Sequence, residues 1–303
     1  MHGLLIIDKP FGISSHDVVR KVRRLLSVRR VGHAGTLDPL ATGLLVVGVG
    51  EGTRLIEFLM ADAKSYRATL KLGITTDTQD SQGQVLKETP VPPLSMDDLV
   101  QACKAFVGPI EQTPPMYSAL KKDGVPLYKL ARQGVEIERT PRNIVIHRLD
   151  IERVDLPLID IGVDCSKGTY IRTLCQDIGE RLGVGAHMTQ LRRTRSGVFT
   201  EQDAITLEEL EEALNRGEFQ LMPYLEALRG WPRVQVAEPA LEKLKNGVPP
   251  CQDAVHGDAI YPGCHVALTD GECLIAMARF EPERTTESRG DFLLLRVFPF
   301  AAK

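Results

Sequence analysis

The chain has 303 residues, of which 43% are hydrophobic, 25% charged and 5% aromatic, with a formal net charge of −3. That balance excludes disordered, collagen-like and disulfide-scaffold classes, and the length predicts a large unit with a small partner. The longest apolar runs fall far short of the roughly 20 residues that a membrane helix needs. The opening GLLIIDKP reads as a strand and not as a signal peptide, and the six cysteines form no CxxC pair. A cytoplasmic protein with reduced thiols is expected.

The net charge conceals an asymmetry. Residues 1–200 carry 27 Lys and Arg against 22 Asp and Glu, whereas residues 201–303 carry 10 against 18. The basic part holds three clusters: Arg20, Lys21, Arg23, Arg24, Arg29 and Arg30; Lys121, Lys122, Lys129 and Arg132; and Arg192, Arg193 and Arg195. Such clusters are usually solvated faces, and here they also read as candidate phosphate contacts.

Ser14, followed three residues later by Asp17, predicts a capped helix start, and Val18, Val19, Val22, Leu25 and Leu26 then form one apolar face. Residues 31–43, VGHAGTLDPLATG, carry Gly32, Gly35, Gly43 and Pro39 and predict a tight loop, with a short buried strand in the following LLVVGVG. Residues 64–73 alternate, with Tyr66, Ala68, Leu70 and Leu72 on one face and Arg67, Thr69 and Lys71 on the other. That is the pattern of a half-buried strand. Ser95 and Asp98 cap a helix that turns Leu99, Cys103 and Phe106 inward and stops at Gly108. Residues 113–138 read as a long ordered excursion rich in Pro, Gly and Lys.

Strands are expected at about 144–151 and 158–165, then a helix from Thr169 with Leu174, Ile178 and Leu182 in register. Another helix is capped by Thr206 and Glu209 and ended by Gly217. Beyond RGWPR at 229–233, short β-like stretches alternate with turns around one helical stretch near 238–245, so a small, mostly β carboxy-terminal domain is expected.

No motif for a phosphate-binding loop or a metal site is evident. GLLVVGVGEGTR (43–54) has Thr53 where a dinucleotide fold needs its third glycine, and no P-loop, HExxH or GxSxG occurs. Cys251, His256, Cys264, His265 and Cys273 follow no zinc spacing. Asp38, before Pro39 in the glycine loop, is by residue type a turn former. A carboxylate on a loop between a basic helix and a buried strand can also face a groove that the glycines open to a ligand. Arg172 falls in the first turn of a helix, where the macrodipole disfavours a cation. It reads either as a surface arginine or as one held by an anionic partner. Tyr66 and Leu191 read by default as core residues, and His33 as a turn residue.

Six blocks in order resemble the bacterial TruB family, the tRNA pseudouridine-55 synthases. They are DKPFGISSHDVV (8–19), GHAGTLDPLATGLL (32–45), KSYRATLKLGITTDTQDSQG (64–83), PPMYSALKKDGVPLYKLARQG (114–134), CSKGTYIRTLCQDIGERLG (165–183) and AHMTQLRRTRSG (186–197). The carboxy-terminal stretch is more loosely similar to the small PUA β-barrel.

The resemblance implies an α+β fold, with a mixed-sheet pseudouridine synthase catalytic domain over 1–229 and a PUA-like β-barrel RNA-binding domain over 230–303. Residues of about 114–138 would be an RNA-clamping insertion. It implies an isomerase that flips uridine 55 out of the T arm of tRNA and converts it to pseudouridine, with no cofactor and no metal, as a monomer without an obligate protein partner. In that assignment Asp38 is the catalytic aspartate, Tyr66 packs on the base and takes the C5 proton, and Arg172 pairs with the catalytic carboxylate. Leu191 closes the pocket wall, Tyr170, Lys9 and Pro10 line or support it, and His33 belongs to the loop that holds the T arm. With an ordinary pKa of about 3.9 and an arginine beside it, Asp38 is expected to be ionised. An RNA-binding or RNA-folding module, and a synthase acting on other RNA, are the alternatives.

Overall fold

The computed structural model describes residues 1–283 and 290–298. Among these, nine strands form one mixed sheet. Its main path runs Gly3–Lys9, Thr42–Val49, Ala186–Ser196, Lys64–Leu72, Leu158–Cys165, Arg142–Asp155 and Gly108–Gln112. Val31–His33 pairs beside Thr42–Val49, and Phe199–Thr200 beside Ala186–Ser196. The amino-terminal and central strands meet at one parallel junction, where Arg192 faces Thr42 and Arg193 faces Gly43. Gly43 is required there: its φ is +95°, and a Cβ would lie 2.3 Å from the Arg193 carbonyl oxygen.

Period-two alternation sorts the apolar side chains onto the two faces of this sheet. Leu4, Ile6, Leu44 and Val46 join one core cluster, while Leu5, Ile7, Leu45, Val47 and Val49 join another on the opposite face. The helix Ser15–Leu26 packs Val18, Val19, Val22 and Leu26 against the second cluster, and its predicted capping box forms through Ser14 and Asp17. Farther along, Ala68, Leu70 and Leu72 join Leu99 and Cys103 of the helix Met96–Lys104 and Leu174 and Ile178 of the helix Ile171–Arg181.

Three local expectations are revised. Residues 31–33 are a short strand and not loop, because their backbone pairs with Val47–Val49. The helix capped by Ser95 ends at Lys104, and Gly108, at φ +105°, instead opens the next strand. The helix expected from Thr169 starts at Ile171, with Tyr170 as its N-cap.

The carboxy-terminal residues form a five-stranded sheet in the order Val255–Gly257, Arg233–Val236, His265–Thr269, Leu274–Phe280 and Phe292–Val297, with the helix Glu238–Lys245 against it. This is the small, mostly β unit expected there, and among the described residues no strand pairing closes the path. Residues 284–289 and 299–303 of the expected domain lie outside the described residues. No helix of the described residues is long and apolar enough to cross a membrane.

The small sheet shares a core with the large one. Ala267, Leu274, Met277 and Phe298 belong to the same cluster as Leu4, Ile6, Leu55 and Tyr224, and the Tyr224 and Phe298 rings lie 5.1 Å apart. Arg54 donates to the Val297 carbonyl at 2.8 Å, and Arg296 pairs with Glu57. Truncation after Arg229 uncovers this core, so the shortened protein is expected to melt at a lower temperature and bind a hydrophobic dye. In the full chain, Leu274→Ala is expected to cost about 2–5 kcal/mol in urea denaturation.

Candidate active site

In the Asp38 loop Leu37, Leu40 and Ala41 are buried, Asp38 is partly exposed and Pro39 is exposed. The loop is tied from several sides. Leu37 N–H donates to Ser15 Oγ at 2.8 Å, and that hydroxyl donates back to the Leu37 carbonyl at 3.0 Å. Gly12 N–H donates to the Pro39 carbonyl at 2.9 Å, and Ala41 N–H closes a turn on the Asp38 carbonyl at 3.0 Å. Lys9, with no exposed surface, donates to the carbonyls of Pro10 at 2.9 Å, Ile13 at 2.7 Å and Pro39 at 3.5 Å. Burial brings its pKa down to about 8, partly offset by Asp38. Lys9 therefore supports the loop from beneath and does not line a surface that a ligand reaches, whereas Pro10 is exposed.

Arg172 is the second residue of the helix Ile171–Arg181, and its side chain is 5% exposed. Nε lies 3.0 Å from Asp38 Oδ2. Nη1 donates to the Thr78 carbonyl at 2.8 Å and sits 3.5 Å from Asp80 Oδ2, while Nη2 donates to the Tyr117 carbonyl at 2.8 Å. The arginine thus has the anionic partner that its helix position calls for. A dipole penalty of about 0.3–1 kcal/mol is outweighed by charge-assisted hydrogen bonds worth about 1.5–3 kcal/mol each.

Asp80 is a site residue that sequence reasoning misses; its only signal is a further carboxylate in the acid-rich turn 77–83. It is buried, and its Oδ1 accepts from Thr78 Oγ1 at 2.6 Å and from Gln82 N–H at 3.0 Å. Two carboxylates therefore share one guanidinium. Burial pushes the Asp38 carboxyl above its ordinary pKa of 3.8; Arg172 pulls it down, Asp80 pushes it up again and Lys9 pulls it down. Desolvation prevails, so the arginine offsets the cost of ionising Asp38 without cancelling it. The Asp38 side chain remains 38% exposed, within reach of a ligand.

Tyr66 sits in the strand Lys64–Leu72 between Val163 and Arg193 of the neighbouring strands, half-buried against the core. Burial raises its phenol pKa and Arg193 lowers it, with burial prevailing. Tyr170 is clamped by Gln112, whose side-chain oxygen accepts from Tyr170 N–H at 2.8 Å and whose amide donates to the Tyr170 carbonyl at 3.1 Å. Burial raises the Tyr170 phenol, opposed first by the Ser118 hydroxyl. Lys9, Tyr66 and Tyr170 all lie within electrostatic reach of Asp38. Leu191 faces Ala68 across the sheet and packs in the same cluster as Tyr66. His33 ends the short strand Val31–His33; burial lowers its pKa, and Nδ1 is buried without a partner.

The three basic clusters differ in kind. Arg20, Arg24, Arg29 and Arg30 are exposed, though Arg20 pairs with Asp17 and Arg30 with Glu51. Lys121, Lys122, Lys129 and Arg132 stand exposed on the excursion 113–138, which is anchored to the site through Tyr117. In the third cluster every arginine is engaged, and only Arg193 turns inward. Arg192 binds Asp8 and Glu201, Arg193 is buried, and Arg195 donates to Ser65 and the Gly197 carbonyl. A concavity of about 720 Å³ lies at the far end of the sheet, lined by Leu72, Gly73, Thr89, Pro90, Pro93 and Pro157, and contains none of the predicted residues. Charge geometry, not cavity size, marks the site.

Residues 23–171 match the TruB family pseudouridylate synthase (N terminal domain), and residues 172–228 match the tRNA pseudouridylate synthase B C-terminal domain. The chain is 51% identical over 301 residues to a tRNA pseudouridine synthase B of Syntrophotalea carbinolica, covering 98% of both. It belongs to the TruB family. A second TruB-family relative, a tRNA pseudouridine synthase B of Geobacter sulfurreducens, is 44% identical over 303 residues, 98% of this chain and 100% of that one. Among solved structures, a chain of a Cbf5-Nop10-Gar1 complex superposes with a TM-score of 0.75 at 27% identity, over 97% of this chain and 84% of that one. A chain from an H/ACA RNP bound to a substrate RNA containing 2′-deoxyuridine gives 0.74 at 25%, over 98% and 84%. This TruB-family enzyme is therefore an isomerase with the pseudouridine synthase fold.

The charge arrangement around Asp38 predicts a pH dependence. If the ionised form is the active one, kcat/KM falls as pH drops through a pKa above 3.8, and Arg172→Gln moves that limb higher still, because a stabilising cation is lost. A pH–rate profile of both proteins checks it.

Proposed function

We propose that this enzyme converts uridine 55 in the T arm of tRNA to pseudouridine after extruding the base. The observation that carries the reading is the Asp38–Arg172 pair, a solvent-reachable carboxylate 3.0 Å from a buried guanidinium. Relatives 44–51% identical over nearly the whole chain are tRNA pseudouridine synthases B, which supports tRNA as the substrate.

In the reaction the N1–C1′ bond breaks, the base turns, and C5 joins C1′ while C5 loses a proton and N1 gains one. Substrate and product contain the same atoms, so the step consumes no reductant, oxidant or co-substrate. Asp38 acts in its ionised form, as nucleophile or base, with Arg172 holding the carboxylate in one orientation. Tyr66 packs its ring on the base. Because burial keeps its phenol protonated, it takes the C5 proton only in exchange for its own. Leu191 and Tyr170 wall the pocket and limit access of water to the detached base. Lys9 and Pro10 support the Asp38 loop, and His33 belongs to the segment that meets the T arm.

Extrusion of a loop uridine costs a few kcal/mol, and an aromatic face offsets part of that. The lysines of the insertion 114–138 and the outer surface of the helix Ser15–Leu26 supply backbone contacts, so affinity falls with salt. Residues 1–229 act as the catalytic domain and 230–303 as a PUA-like RNA-binding domain.

Tritium release from tRNA carrying 5-tritiated uridine tests the reading. One equivalent is expected with wild type, and Asp38→Asn is expected to abolish release while still binding tRNA. A T-arm minihelix is expected to be modified at position 55; modification of rRNA fragments in its place would reassign the substrate.

A further inference from the structure

Arg193 was a candidate phosphate contact, yet it is 1% exposed, and a phosphate cannot reach it. It lies in the strand Ala186–Ser196, with Tyr66 as its partner on one side and Gly43 on the other. Its Nε donates to the Leu44 carbonyl at 2.7 Å and its Nη2 to the Gly35 carbonyl at 3.1 Å. Gly35 is three residues before Asp38, so the same side chain grips the Asp38 loop and the buried strand that follows it. The strand register sets Arg193 directly beside Tyr66 on the same face of the sheet, so its guanidinium also acts on the Tyr66 hydroxyl.

No carboxylate pairs with Arg193 among the described residues; its hydrogen bonds to the backbone end on carbonyls. Lys9 and Lys64, both buried, are likewise held by main-chain carbonyls, and Arg193 disfavours the charged form of each. A buried cation without an anion is costly, and an apolar side chain of similar volume would serve packing better. What only a guanidinium offers here is a rigid planar fork that spans two backbone segments and still faces a phenol. A positive charge beside that oxygen also stabilises the negative charge that develops when the phenol gives up its proton.

We propose that Arg193 is a positioning residue for the isomerisation, holding the Asp38 loop at Gly35 and the Tyr66 hydroxyl to one rigid guanidinium. The inference rests on the roles of Asp38 and Tyr66 proposed above. Arg193→Lys keeps the charge but cannot span the same three groups.

In the full chain with a T-arm minihelix, Arg193→Lys is expected to bind RNA within about threefold of wild type. Its single-turnover tritium release is expected to fall by about 10²-fold, the cost of a misplacement near 1 Å. The ¹³Cζ signal of labelled Tyr66 is expected to titrate at higher pH than in wild type. In a Tyr66→Phe background, the same Arg193→Lys change is expected to slow release by clearly less than the roughly 10²-fold it causes alone, because its route through the hydroxyl is gone and only the hold on the Gly35 carbonyl is left to lose. A wild-type rate in Arg193→Lys, an unmoved Tyr66 titration, or fully additive losses would each overturn the proposal.

Should Arg193→Lys fail to fold, the guanidinium ¹⁵N signals of Arg193 in otherwise wild-type protein are expected to shift on Tyr66→Phe substitution, and unchanged signals overturn the proposal. If Tyr66→Phe itself turns over at the wild-type rate, the reading of Tyr66 fails first. If Tyr66→Phe is slow and Arg193→Lys is not, only the role of Arg193 falls.

Discussion

The guanidinium of Arg172 gathers four segments that are remote in the chain: the Asp38 loop, Thr78 and Asp80 of the acid-rich turn, Tyr117 of the excursion, and the start of its own helix. Nε meets Asp38, Nη1 the Thr78–Asp80 turn and Nη2 the Tyr117 carbonyl, so the position of Asp38 depends on all of them. The Arg172–Asp80 contact is deeply buried, and stripping one member from a buried pair costs about 3–5 kcal/mol. The Arg172–Asp38 contact opens to solvent and is worth less in stability. The interior carboxylate thus secures the arginine, and the outer one remains available for chemistry.

That division explains why two acids surround one base. Asp80 alone would satisfy the buried charge, and Asp38 is then free to be desolvated further by a ligand. The cost is visible in the carboxyl of Asp38, which its surroundings hold above the ordinary range despite the arginine beside it. A carboxylate poised this way is less well stabilised as an anion than a fully paired one, which suits a nucleophile or base.

The excursion 113–138 and the carboxy-terminal sheet join the site in different ways. The excursion reaches Arg172 through a main-chain carbonyl and Asp77 through the Tyr117 hydroxyl, at 3.3 Å, while most of its lysines face solvent. Few apolar contacts hold such a segment, so it can respond to a ligand without disturbing the core. The small sheet instead buries Leu274, Met277 and Phe298 in common with the large one, which makes it part of the same stable unit.

From the sequence alone came most of the elements, the caps and the candidate site residues other than Asp80. Alternation in Lys64–Leu72, the capping boxes at Ser14, Ser95 and Thr206, and the glycine at 217 are local signals, set by dihedral preference and period, and they stand in the structure. The awkward helix position of Arg172 also pointed to an anion, because a dipole is local too. The family resemblance named Asp38 as that anion, and the second one, Asp80, was a matter of tertiary structure. So were the inward turn of Arg193 and the strand pairing of residues 31–33. The inward turn of Arg193 is set at a parallel junction between strands about 150 residues apart, at Arg193 and Gly43, and no local rule of the chain encodes which distant strands will meet.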